Sequence, residues 1–131
     1  MFNLFSKYKI IFYSCNIVLI IFYLYPGSIL GYFLYNDLSK QPQLTNDFVI
    51  SSNHFYVFCL ISILGFFTYK DFKKVKSLII YLILLSIFLE IFHLFVPGRS
   101  FEFSDLFGNL AGSIVVILIN YFIRNYAKFK N

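Results

Sequence analysis

Residues 90–112 read EIFHLFVPGRSFEFSDLFGNLAG, and this stretch decides how the chain folds. It carries three of the six acidic residues (Glu90, Glu102 and Asp105), with His93, Arg99 and the glycines Gly98, Gly108 and Gly112. The flanks are almost pure hydrocarbon, SLIIYLILLSIFL over 77–89 and SIVVILINYFI over 113–123. Two apolar helices joined by a short polar connection are predicted, because Pro97 and Gly98 stop the first and Ser104 or Asp105 starts the second. A connection this short makes the two helices antiparallel neighbours.

The rest of the chain follows from that hairpin. Of its 131 residues, 60% are hydrophobic, 23% aromatic and only 13% charged, and the mean hydropathy is +0.76. An average soluble domain carries about 25% charged residues. A small soluble core could not bury 19 Phe and 11 Tyr, so the apolar solvent is lipid. The net charge of +5 does not point to nucleic acid, because the basic residues flank apolar spans and form no patch with polar partners. Cys15 and Cys59 lie inside apolar spans as small hydrophobes, and no Cys/His spacing suggests zinc. No cofactor and no metal site is expected from the motifs present.

The fold class expected is all-α: one polytopic membrane domain over 1–131 with four transmembrane helices, at about 10–26, 54–69, 77–96 and 105–123. The first resembles a signal-peptide core, but no small-residue cleavage site follows, so it reads as an uncleaved span. Past Pro26 and Gly27 it either continues after a kink toward Tyr35 or lies in the interface. Residues 36–53 are a polar loop, and Ser51, Ser52 or Asn53 can cap the helix that His54 opens. Lys7, Lys9, Lys70, Lys73, Lys74, Lys76, Arg124, Lys128 and Lys130 fall on one side of the spans, and only Lys40 and Arg99 on the other. The basic excess marks the cytoplasmic side, so both termini are expected inside a bacterial cytoplasmic membrane.

The polar residues then collect at the outer face. Glu90 sits roughly 10 Å below the outer end of its helix, and His93 is one turn nearer the surface on the same face. Asp105, Asn109 and Gly112 share a stripe on the last helix, and His54 joins them if its helix packs alongside. Glu90 can face Asn109 and Gly112, with His93 nearer Asp105. A charge at mid-span costs about 2.5–3.5 kcal/mol, so Glu90 needs a proton, a cation or donors. Arg99 is available to Glu90, to Asp105, or to an external anion such as a phosphate. Gly108 and Gly112 make a GxxxG face suited to close helix packing.

Glu90, then Pro97-Gly98-Arg99, then Asp105, Asn109 and Gly112 resemble the signature of the VanZ-like membrane protein family, named after a glycopeptide-resistance protein. Pro26 and His54-Phe55 extend the resemblance over most of the chain. The sequence departs from the pattern at Ile50 and Ser51, where the family often carries an Asp-Lys pair. The resemblance implies a small polytopic envelope protein and supplies no substrate.

Three readings of the cluster stand open. Glu90, His93, Arg99, Asp105, Asn109 and His54 form a site for an amphiphilic or lipid-linked ligand, with membrane lipids, an envelope precursor or membrane proteins as partners and a role in antibiotic tolerance or surface-polymer assembly. Alternatively they are a packing clasp in a non-catalytic accessory subunit. The third is a membrane enzyme with Glu90 or His93 as base, or a metal held by the histidines and carboxylates; no nucleophile elbow, HExxH or phosphate loop supports it.

Overall fold

The computed structural model of the chain describes residues 4–129; Lys130, counted above among the basic residues, lies outside them. Five α-helices follow in order: α1 Leu4–Leu24, α2 Ile29–Tyr35, α3 Ser52–Thr68, α4 Phe72–Phe92 and α5 Phe103–Phe129, with a 3-10 turn His93–Phe95 closing α4. The all-helical expectation holds, and no strand occurs among the described residues. Three stretches are long and apolar enough to cross a membrane, Lys7–Leu24, Phe72–Phe95 and Phe103–Phe129. The fourth apolar helix, α3, is shorter, at 17 residues. It rises about 26 Å against a hydrocarbon core of about 30 Å.

α5 runs six residues beyond the expected end at 123, because nothing in RNYAKF breaks a helix. α1 does not continue through Pro26. It ends at Leu24, and Gly27 takes φ +100°, a left-handed conformation that suits glycine. Ser28 then caps α2, its Oγ accepting from the Gly31 amide at 2.9 Å. α2 folds back on residues 37–40, where the Ser28 amide donates to the Leu38 carbonyl at 2.8 Å. At the start of α3, Ser51 occupies the cap position, but its side chain makes no capping bond. Asp47 Oδ1 accepts from the Ser52 amide instead, at 2.7 Å.

α3 and α5 form the tightest pair. A Cβ on Gly108 would stand 2.7 Å from the Ser51 carbonyl oxygen, and one on Gly112 would strike the Phe55 carbonyl oxygen. These two glycines therefore set how near the helix backbones come. α1 is tied to its neighbours by polar bonds inside the apolar layer. Tyr81 of α4 donates to Asn16 Oδ1 at 2.6 Å, and Thr68 Oγ1 donates to the Tyr8 carbonyl at 3.1 Å. Phe12, Leu19, Phe58, Leu82, Leu89 and Val116 belong to the buried core. Ile10, Ile17, Ile80, Leu84, Ile119 and Phe122 are exposed on the outside, an apolar surface suited to lipid.

Candidate functional site

The end of the bundle where α1 and α4 finish and α3 and α5 begin holds a polar cluster drawn from all four long helices. Glu90 and His93 lie one turn apart at the close of α4 and are 0% and 2% exposed. Glu90 Oε1 accepts from the Glu102 amide at 2.9 Å and lies 3.3 Å from His93 Nδ1. His93 Nε2 reaches the Tyr23 carbonyl at 3.0 Å. A carbonyl only accepts, so Nε2 carries a hydrogen. The Tyr23 ring stacks on His93, with centroids 5.6 Å apart and planes 19° from parallel.

A second knot forms around Asn109, which is fully buried. Asn109 Nδ2 donates to the Ser86 carbonyl at 3.2 Å, which fixes the amide so that Oδ1 faces α1 and α3. Oδ1 accepts from Tyr23 Oη at 2.8 Å and lies 3.0 Å from His54 Nδ1. Tyr23 Oη is also 3.0 Å from His54 Nδ1. The other imidazole nitrogen, His54 Nε2, is 3.3 Å from Asp105 Oδ2. Below the knot, Ser86 Oγ pairs with Ser113 Oγ at 3.2 Å, and Ser62 Oγ donates to Ser113 Oγ at 3.4 Å.

Arg99 goes to the end of α1. Its Nε donates to the Tyr25 carbonyl at 3.3 Å, and its Nη2 to the carbonyls of Phe22 at 3.1 Å and Gly27 at 2.8 Å. The Phe22 carbonyl lies in the last turn of α1, where Pro26 offers it no amide hydrogen, and those of Tyr25 and Gly27 follow just past the helix; a cation is favoured at such an end. No ion pair joins Arg99 to a carboxylate among the described residues. Burial pushes its pKa down while Asp105, Tyr23 and Glu90 pull it up, and guanidinium stays charged.

The cluster can hold a metal by geometry, since one ligand atom each from His54, Glu90 and Asp105 lie within 4.8 Å of one another. Glu90 Oε2 is buried and has no hydrogen-bond partner. Beside the cluster a groove of about 580 Å³ runs between α1 and α3, from Cys15, Val18 and Leu60 up to His54, His93 and Arg99.

Of the residues expected at the site, Glu90, His93, His54, Asp105 and Asn109 come together, and Arg99 borders them. Asn109 meets Ser86, one turn deeper than Glu90, and His93 meets Tyr23 rather than Asp105. Gly112 turns to α3 and not to Glu90. The stripe on α5 continues through Ser113, four residues after Asn109. Ser86 lies four residues before Glu90, so helical spacing was the signal for both serines. Tyr23 carried none, being one of 11 tyrosines.

No curated protein matches the chain, and no solved structure does. The sequence model of the VanZ/LLP1 family matches residues 5–124, from the first turn of α1 to within six residues of the end of α5. With that match and three helices fit to cross a membrane, the chain is a multi-pass membrane protein that belongs to the VanZ/LLP1 family.

Proposed function

We propose that the protein binds an amphiphile at the outer face of a bacterial cytoplasmic membrane, with the acyl chain in the groove between α1 and α3 and the head group at His54, His93 and Arg99. The groove is the observation that carries this reading. Its α1 wall runs from Ser14 to Tyr23, about 13 Å of helix. Its volume of about 580 Å³ falls within the range of ordinary ligand pockets, about 300–1,000 Å³. An apolar trough in an apolar outer surface takes a hydrocarbon tail directly from the bilayer. At the polar end the Arg99 guanidinium supplies the positive charge that suits the anionic head of a lipid-linked wall or surface-polymer precursor. In this reading α3 is the fourth span. Both termini lie inside in this reading, which the Lys/Arg distribution supports. A fluorescent-protein fusion after residue 131 that stays dark in cells refutes that orientation.

Native mass spectrometry in mild detergent tests the binding. Val18 and Leu60 are 49% and 56% exposed in the groove, and neither takes part in a side-chain hydrogen bond found here. Leu60→Trp and Val18→Trp fill the trough and leave the polar cluster in place. A lipid-sized adduct on the wild type that disappears in both folded variants is the expected result. No adduct, or one that persists in the filled groove, overturns the proposal.

A specific observation also favours the packing-clasp reading: Tyr23, His54, Ser86 and Asn109 bond one another across α1, α3, α4 and α5. If packing is the whole role, groove-filling variants retain full function in cells, while Tyr23 and Asn109 variants lower abundance.

A further inference from the structure

The geometry points to a binding site for one first-row divalent cation, of the Mn2+ or Zn2+ class, held by His54 Nε2, Asp105 Oδ2 and a carboxylate oxygen of Glu90. It shares His54 with the polar end of the groove, and its test is read with the metal alone, so it stands or fails separately from the amphiphile reading.

Hydrogen placement makes the first part of the case. The Asn109 amide is fixed by its bond to the Ser86 carbonyl, so Oδ1 is the atom 3.0 Å from His54 Nδ1. An amide oxygen accepts only, and the Tyr23 hydroxyl spends its single hydrogen on the same oxygen. His54 Nδ1 is therefore the protonated nitrogen, and neutral imidazole then presents a lone pair at Nε2. That lone pair faces Asp105 Oδ2 across 3.3 Å. Two acceptors so placed are reconciled by a proton or by a metal ion between them. Metal-bound histidines show the same arrangement, with the remote N–H held by a fixed acceptor and the other nitrogen aimed at the ion.

The second observation is the bare oxygen on Glu90. Oε1 is taken by the Glu102 amide, while Oε2 is buried with no partner in a residue that is 0% exposed. A carboxylate oxygen in that position costs several kcal/mol unless it is compensated. One Glu90 oxygen lies within 4.8 Å of both the His54 and Asp105 ligand atoms. Bonds of about 2.0–2.2 Å place ligand atoms roughly 3–4.4 Å apart around one ion, so small side-chain rotations close the set. As ligands, two carboxylates and one neutral imidazole also balance a divalent charge.

The donor set chooses the cation. An imidazole disfavours Mg2+ and Ca2+, which take oxygen, and the lack of thiolate disfavours Cu(I). Three ligands leave coordination positions open. Asp105 is the most exposed of the pair with His54, at 20% against 8% for the side chains, so the open side lies at the rim of the bundle.

The test uses tag-free, chelator-treated protein in mild detergent, titrated calorimetrically with Mn2+ and with Zn2+. One ion per chain is expected, with affinity weakened on the order of 10–100-fold in Asp105→Asn and in Glu90→Gln while both elute as folded protein. Absence of saturable one-to-one binding to the wild type overturns the proposal, as does unchanged affinity in a folded Asp105→Asn. Pulsed electron paramagnetic resonance of the Mn2+-loaded wild type needs no variant. It should show coupling to one imidazole nitrogen, and a spectrum without nitrogen coupling refutes the site even if every variant fails to fold.

Discussion

Gly112→Ala should destabilise the bundle, whereas the same change at Gly65 should not, although both sites are crowded. At Gly112 the new Cβ strikes the Phe55 carbonyl oxygen and stands 3.0 Å from Phe58 Cβ and 3.1 Å from the Cys59 amide nitrogen. Two of these atoms are backbone and the third is attached to it, so relief requires α3 and α5 to part. At Gly65 the neighbours are the Leu78 methyls at 2.9 and 3.1 Å and Phe12 Cε2 at 3.2 Å, ends of side chains that can rotate. Overpacking that moves backbone sits toward the upper end of about 1–3 kcal/mol. Alanine returns about 1 kcal/mol through helix propensity at either position. The net is a loss of about 2 kcal/mol for Gly112→Ala and a change near zero for Gly65→Ala. Separation of α3 from α5 also stretches the 3.0 Å contact between His54 and Asn109, which adds to the loss. Thermal denaturation in dodecylmaltoside, followed by the monodisperse fraction and by helical circular dichroism, reads the difference. If Gly112→Ala melts at or above Gly65→Ala, the close-approach argument is wrong.

Arg99→Ala should cost about 2 kcal/mol, because it strands three carbonyls at the end of α1 that now accept from a partly exposed cation. Arg99→Lys should recover little of that, since an ammonium cannot reach three carbonyls as the guanidinium does; full rescue of the melting midpoint by lysine would refute the geometry. Tyr23→Phe keeps the ring stack on His93 but removes the hydroxyl shared by Asn109 and His54, for a loss of about 1–2 kcal/mol in the same melt. Asp47→Ala removes the acceptor at the first turn of α3 and should cost about 1 kcal/mol, with faster amide exchange at Ser52 as the local readout.

The helices were legible in the sequence because lipid demands long apolar runs, and Pro97-Gly98 and the polar 36–53 loop interrupt them visibly. The composition of the site was legible for a related reason: a carboxylate or imidazole inside hydrocarbon is conspicuous, so Glu90, His93, Asp105 and Asn109 stood out. Their partners were harder to read. Helical spacing fixes which residues share a face and leaves open the rotation of each helix about its axis. A modest rotation of α5 gives Asn109 to Ser86 and turns Gly112 to α3. The destination of Arg99 depended on where α1 ends. Once Gly27 reverses the chain, the carbonyls of Phe22, Tyr25 and Gly27 converge on the guanidinium and take its donors. Tyr23 lay hidden because only tertiary packing separates it from the other tyrosines.

Packing and binding are not rival explanations of this cluster, because the hydrogen count divides it in two. Around Asn109 the bonds join the helices: an amide hydrogen goes to the Ser86 carbonyl, the tyrosine hydrogen goes to Oδ1, and His54 Nδ1 lies 3.0 Å from the same oxygen. Those bonds are sufficient to hold α1, α3, α4 and α5 in register. On the other side the count does not close at Glu90, whose Oε2 is buried without a partner close to the pair that His54 Nε2 makes with Asp105 Oδ2. A cluster kept only for packing gains nothing from surplus acceptors in a low-dielectric setting, where each is costly. The closed half fixes the orientation of His54, so that the open half is rigid before anything binds there. On the metal-site proposal, the structural role falls to Tyr23, Ser86 and Asn109, and the binding to His54, Glu90 and Asp105.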